Sequence, residues 1–321
     1  MKSMKKILCS QEGNGMIMVA FFMVVLFGFS AMVIDGGRLY LEKSRLQKAL
    51  DAAVLAGAQD LLKGESVAKQ TAIDIAAKNN VVLVLSDFKT GPNYIQATKS
   101  VSKGLTFAKF IGVNSSDVAA SAKAQISGKI ISREGIVPIG IPKAEYPTTP
   151  PESGKEPPSF SINFKPGNSG NGKDDDEENS SIGGNFGFLQ IDKPGGKQLL
   201  ESIKEGIPMD LETKYVLTNT GLNWGNVKEG FEYRINLDKK RNDCNKYLTA
   251  DDTCARVVLV PIIKSYADVN GKTYVELDGF ASVWIDDVKK HEVTAKFIKL
   301  ITFGEIGKGV NYGVEGVKLV H

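Results

Sequence analysis

Histidine is almost missing from this chain of 321 residues: His291 lies in a charged stretch and His321 is the last position. A Ser/His triad or a His-rich metal site therefore has almost nothing to be built from. GxSxG, P-loop and HExxH patterns do not occur either. The adjacent carboxylates Asp251-Asp252 and Asp286-Asp287 would point to opposite faces of a strand, so they read as turn carboxylates rather than a shared acid/base pair. The reading is of a protein that is not an enzyme, with no catalytic, cofactor-binding or metal-ligating residue and no small-molecule substrate. An excess of one charge is lacking too. With 40 basic and 37 acidic residues the net charge is +3, and the aromatic residues are not interleaved with basic ones, so nucleic acid is not an expected partner.

Cysteine is scarce, and its placement is informative. Cys9 stands near the start, while Cys244 and Cys254 sit ten positions apart in the bulk of the chain, with no CxxC or Cys/His spacing that would hold zinc. Two unrelated buried thiols are one reading of the pair. A disulfide is the other and is the expectation adopted; loop closure credits it with about 3 kcal/mol, and it would place the large domain outside the cytoplasm.

What the chain does have is one long apolar run. Met16 to Ile34 holds no charge and no proline, and at ~1.5 Å per residue it is about 28 Å long, close to the ~30 Å hydrocarbon core of a bilayer. A transmembrane helix over 16–34 is expected, with residues 1–15 as a cytoplasmic head carrying Lys2, Lys5 and Lys6. Arg38, Lys43, Arg45 and Lys48 follow the run, so charge asymmetry alone does not set orientation. A secretory signal cut near Gly28-Phe29-Ser30 is the rival reading. Asp35 and Arg38 mark the membrane exit; Asp35 either anchors the helix at the interface with Arg38 on the next turn or pairs with a partner helix. From Leu39 the pattern is amphipathic and rich in small residues. Ala49, Ala53 and Gly57, spaced by four, form a helix-packing face for the protein's own domain or for another subunit.

Beyond Lys63-Gly64 a second helix is expected from an N-cap at Ser66 to Asn79-Asn80. A β-rich run follows at 81–85, then a turn at Gly91-Pro92, a strand carrying Ile95, Ala97 and Val101, and a short helix over 105–111. A strand then alternates through Val118, Ala120, Ala122, Ala124 and Ile126. Residues 142–183 gather prolines, glycines and the acidic run Asp174 to Glu178, and read as a flexible insertion or linker; the run lacks the spacing of a calcium loop. Strands are expected at 186–191 and 211–217, helices at 196–205 and 227–235, and a turn-rich stretch at 219–225. Asn270-Gly271 suggests a tight hairpin between two apolar runs, with Val275, Leu277, Ala281, Val283 and Ile285 on one face and Pro261 near an edge or bulge. Residues 294–303 make a further strand. The expected class is α+β, with an antiparallel sheet behind one membrane helix. Its parts are 1–15, 16–34, a rod and small module over 35–141, the insertion 142–183, and an extracytoplasmic domain over 184–321.

The stretch from Glu12 to Leu61 resembles the N-terminal module of TadG-like Flp pilus-assembly (tight adherence) proteins. The resemblance rests on Asp35, Gly36 and Arg38 at the exit and on Leu46, Gln47, Ala49, Asp51, Ala52, Ala53, Leu55, Ala56, Gly57 and Ala58 in the following helix. FAKFIGVNSSDVAASAKAQI is similar to the family's short helix and alanine-rich strand, and segments beyond 180 are similar more loosely. The resemblance implies a single-pass envelope protein with a cytoplasmic N-terminus, working with the bilayer and with other pilus-assembly or pilin subunits. It supplies no catalytic residue and no cofactor. The alternative is a membrane-tethered extracellular ligand-binding or adhesion module.

Overall fold

The computed structural model describes residues 14–147, 155–163, 187–190, 196–219, 224–266, 269, 271–308 and 310–320. Most of the head, most of 142–183 with its acidic run, Asn270, and His321 lie outside them. Helix α1, Asn14–Gln59, is a single element of 46 residues, about 69 Å at the usual rise. It contains no proline, and its ladder runs unbroken from the apolar run into the amphipathic stretch. From 16 to 34 every residue but Ala31 is exposed, and this is the one helix among the described residues long and apolar enough to cross a membrane. From Leu46 onward the same helix is core, with Leu46, Ala49, Leu50, Ala53, Val54 and Ala58 all buried.

A 3-10 turn, Asp60–Lys63, ends the rod, and Gly64 at φ +114 reverses the chain in a backbone region that L residues rarely adopt. Helix α2, Glu65–Lys78, then packs back along α1. Gly64 rather than Ser66 precedes it, so Ser66 lies inside the first turn. Ala68, Ala72 and Ala76 make its buried face, and the two helices meet through small residues that allow close approach.

Residues 81–84 are irregular and 85–87 form a 3-10 turn, so the expected β run at 81–85 is not a strand. Only Leu83 of those apolar residues is buried; its neighbours Val82, Val84 and Leu85 are exposed and gain nothing from pairing. Strands β1 (Phe88–Gly91) and β2 (Tyr94–Gly104) form a tight hairpin. The expected helix at 105–111 is a single 3-10 turn, Ala108–Ile111. Strand β3, Ser115–Ile136, is the spine of the sheet. It pairs with all of β2 along one edge. Farther along, β13 (Glu305–Gly307) and then β9 (Val257–Ile263) meet that same edge, while β14 (Val314–Val320) and then β7 (Ile207–Asp210) pair with the opposite one. Gly128 at φ +72 and Gly135 at φ +82 lie at the register shifts that let one strand serve so many partners.

The remaining elements build outward from β9. The parallel contacts of β4 (Ile141–Pro142) and of Ile136 flank Pro261, whose missing N–H falls where that ladder is interrupted; β9 is thus an interior strand, buried at every position. β10 (Tyr274–Lys289), β11 (Glu292–Ile298) and β5 (Phe160–Asn163) continue the sheet in antiparallel order. β9 and β10 are joined by residues 264–273, longer than the expected two-residue turn. A bulge between Leu277 and Gly279 also sends Val275 and Leu277 to one core and Ala281, Val283 and Ile285 to the other, so these residues do not share a face. β6 (Leu189–Gln190) and β8 (Tyr215–Thr218) pair at the side, and the run 211–217 divides into a 3-10 turn and β8. Helices α3 (Gly196–Glu205) and α4 (Trp224–Asp238) cover one face through Leu199, Ile203, Val227 and Phe231. β12 (Leu300–Thr302) lies parallel to β14. The class is therefore α+β, with a mostly antiparallel sheet behind one long N-terminal helix.

Gly57 shows how tightly α1 is held. A Cβ there would stand 2.7 Å from the Ala68 carbonyl oxygen and 3.1 Å from the Ala72 Cβ. Gly57→Ala gains about 1 kcal/mol of helix propensity, but overpacking a well-filled contact costs about 1–3 kcal/mol, so net destabilisation is expected. Gly36→Ala, with nothing within 4 Å, should raise stability instead. Denaturant unfolding of the full chain in detergent checks both; equal midpoints for the two variants would show that the α1–α2 contact tolerates a methyl group.

Candidate functional site: the exit of the long helix

One face of α1 is tied to the β2–β3 hairpin by polar contacts at successive turns. At the exit, both carboxylate oxygens of Asp35 accept backbone hydrogen bonds, from the N–H groups of Thr106, Phe107 and Ala108, each at 2.8 Å. Arg38 donates to the Thr106 hydroxyl. Further up, Glu42 pairs with Lys103 at 2.9 Å, and Gln47 donates to the Ser121 carbonyl at 3.0 Å and to Asp51 at 2.8 Å. At the far end Gly57 lies against Ile95 and Ala68. Helix and strand keep pace: 35 to 57 is about 33 Å along a helix, and 106 back to 95 is about 36 Å along a strand. The closed end of the hairpin therefore stands beside the first residues past the apolar run.

Asp35 is buried, 6 % exposed. Burial works against its ionisation, but the amides of Ala108, Thr106 and Phe107, followed by the charge of Arg38, outweigh it and hold the carboxyl below its ordinary 3.8. These donors are the free N–H groups at the start of a 3-10 turn, where a carboxylate is favoured. Of the two readings of Asp35, the partner-helix pairing is displaced, because its oxygens already have partners within the chain. Ala49, Ala53 and Gly57 are likewise buried within the chain, Ala53 in the core shared with α2 and the sheet and Gly57 against Ala68 and Ile95. Thr106, Phe107, Ala108, Glu42 and Lys103 were not singled out in the sequence; an aspartate directly after an apolar run is the signal that asks for donors there.

A second junction joins the rod's other end to the disulfide loop. Lys63 Nζ stands 2.9 Å from Asp60 and 2.6 Å from Asp251, beside a cleft of about 410 Å³ lined in part by Tyr247, Asp252 and Ile298. Burial opposes the charge on Asp251, but the hydrogen bonds from Lys63 and Thr253 outweigh it and lower its carboxyl. Cys244 and Cys254 are buried at disulfide distance, with sulfurs 2.10 Å apart and Cα atoms 5.3 Å apart. Asp238 comes within reach of both sulfurs, the one grouping among the described residues with the spacing of metal ligands. The sulfurs take each other as partners, however, and Asp238 accepts the Arg256 N–H at 2.8 Å. The Trp284 indole donates to the Cys244 carbonyl at 2.9 Å.

Asp35→Ala should speed amide exchange at 106–108 several-fold in the full chain, with exchange at β9 unchanged; equal rates in variant and parent would show that the carboxylate does not hold the loop. Because the folded pKa is lowered, the contribution of Asp35 is complete above the ordinary carboxylate range and is lost as pH falls through the folded value, so protection of the loop, corrected for intrinsic exchange, should fade only below about pH 3.8. Reduction of Cys244–Cys254 should lower stability by about 3 kcal/mol and alter Trp284 fluorescence. An unchanged denaturation midpoint after reduction would show that the bridge constrains nothing that the folded loop does not already fix.

Compared with curated proteins and with solved structures, the chain has no match in either. Residues 13–60, which are α1 with one flanking residue at each end, match the family model Tad, whose description reads "Putative Flp pilus-assembly TadE/G-like".

Proposed function

We propose that this protein is a non-enzymatic, single-pass component of Flp pilus assembly, held in the cell membrane by 16–34 with its N-terminus in the cytoplasm and its bulk outside. The family match of 13–60 supports the pilus role. The observation that carries the anchoring is the continuity of α1: an exposed apolar half and a buried half in one helix. In this reading 1–15 is a cytoplasmic head, the rod with its module over 35–141 joins 184–321 in one extracytoplasmic sheet, and the linker role falls to 164–183 only, because β4 and β5 make the earlier part of 142–183 a piece of that sheet. The Cys244–Cys254 pair suits an oxidising compartment. Because Ala49, Ala53 and Gly57 are used internally, contacts with pilin or other assembly subunits fall to the apolar half of α1 and to the outer surface.

Two measurements test the reading. In intact cells a membrane-impermeant maleimide should label Lys290→Cys, in the exposed turn between β10 and β11, without prior lysis; labelling that requires opened cells overturns the orientation. The full chain, extracted in detergent, should bring down pilus-assembly or pilin subunits. If it instead retains a polysaccharide and no pilus component, the tethered binding module is the correct reading. The full chain is needed for this comparison, because Leu50, Ala53 and Val54 of the rod are core residues.

A further inference from the structure

We propose that the loop between β2 and β3, residues 105–113, is a second membrane contact: an apolar finger that enters the bilayer interface beside the exit of α1. This rests on the reading of 16–34 as a membrane span. Phe110 and Ile111 are 81 % and 82 % exposed, and Phe107 and Val113 are exposed beside them. Single exposed apolar residues are ordinary on a protein surface, whereas four within seven positions at one loop tip are not accounted for by the fold.

The loop's height is fixed by its attachment. Asp35, one residue past the apolar run, binds the amides of 106, 107 and 108, which begin the 3-10 turn carrying Phe110 and Ile111. At about 2 Å per residue in such a turn, Phe110 and Ile111 lie within about 8 Å of that attachment. They are thus at the level where the helix leaves the hydrocarbon, and their apolar surface is continuous in height with the apolar half of α1. Lys109 sits between the apolar residues, with its ammonium over the Phe110 ring at 5.9 Å; Arg38 is on the adjoining helix turn. Aromatic side chains next to cations on flexible stems suit the headgroup layer, where the ring is buried and the charge stays wet. Gly112, at φ +89, turns the chain out of the finger toward β3. Two points of contact, span and finger, would fix the rotation of α1 about its own axis as well as its depth, which a lone helix does not do.

The test uses the full chain with Cys9→Ser, reconstituted in phosphatidylcholine/phosphatidylglycerol nanodiscs at one copy per disc, with a nitroxide on one introduced cysteine. Accessibility to oxygen, which concentrates in lipid, is compared with accessibility to a water-soluble nickel complex at Phe27→Cys, Phe110→Cys and Val82→Cys. Phe27 reports the span itself, and Val82, 76 % exposed, is an apolar control elsewhere on the module. The expected result is high oxygen and low nickel accessibility at 27 and 110, with the reverse at 82. Lipid contact at 27 with nickel access at 110 equal to that at 82 overturns the finger and leaves the span standing. Nickel access at 27 overturns the anchoring and the finger with it. Low accessibility to both probes at 110 means protein covers the tip, which also overturns the proposal. A second measurement guards against an effect of the label: Phe110→Ser with Ile111→Ser should raise the mobility of a nitroxide at Lys43→Cys on α1, and unchanged mobility there would contradict a finger that fixes the helix.

Discussion

An α-helix keeps its axis for as long as its hydrogen-bond ladder is unbroken, and α1 is unbroken from Asn14 to Gln59. That constraint organises the molecule. Whatever holds the exposed half also fixes the direction of the buried half, since no proline or bulge between Ile34 and Leu46 offers a hinge. The buried half in turn is shared between distant parts of the chain: its core includes Ala68 and Ala72 of α2, Ile95 of β2, Ala120 to Ala124 of β3, and also Ile301 and Val317 from the last strands. The rod cannot be withdrawn without opening a core that the two ends of the sequence build together.

The material of that core explains why the fit is close. Alanine dominates the facing surfaces of α1, α2 and β3, and each alanine buries little apolar area, so the interface relies on short distances rather than large side chains. Gly57 belongs to the same logic. The outer cores are built differently, from Phe188, Phe231, Trp284 and the β-branched residues of β9 and β10, where large side chains fill the space on both faces of the sheet. β3 connects the two styles of packing, and its positive-φ glycines allow one strand to bend from the helix-bound sheet into the disulfide-bearing one.

How much of this was legible in the sequence follows from the range of each interaction. The rod, its end at Lys63-Gly64, the alanine strand and the cysteine pair are written in local pattern: an apolar run, a period of two, a spacing of ten. The class and the long helix could therefore be read directly. The run 81–85 has strand composition, but no described strand pairs with it and only Leu83 of residues 82–85 is buried, so its outcome depends on what it packs against rather than on its composition. The bulge at Asp278-Gly279 was hidden for a related reason. Tyr312 closes over Gly279, leaving no room for a Cβ, and hydrogen-bonds Asp278, so the shift answers to a residue more than thirty positions away. Asp35 was visible as an exit marker, but its donors lie about seventy residues downstream and leave no trace in local periodicity.

The polar character of the exit has a physical reason of its own if the rod stands in lipid. Deep in the molecule, apolar contacts are strong because the alternative is water. Beside a bilayer the alternative is hydrocarbon, which is as apolar as leucine, so hydrophobic packing no longer distinguishes protein from lipid. A hairpin held to a helix at that level by side-chain packing alone could slide or lift away into the acyl chains. A carboxylate bound to three directed amides cannot be mimicked by hydrocarbon, and it loses its hydrogen bonds as soon as the hairpin shifts by one residue. Asp35 thus fixes the register of helix against strand at the end where hydrophobicity is least able to, while Gly57 and the alanines fix it at the end where hydrophobicity suffices.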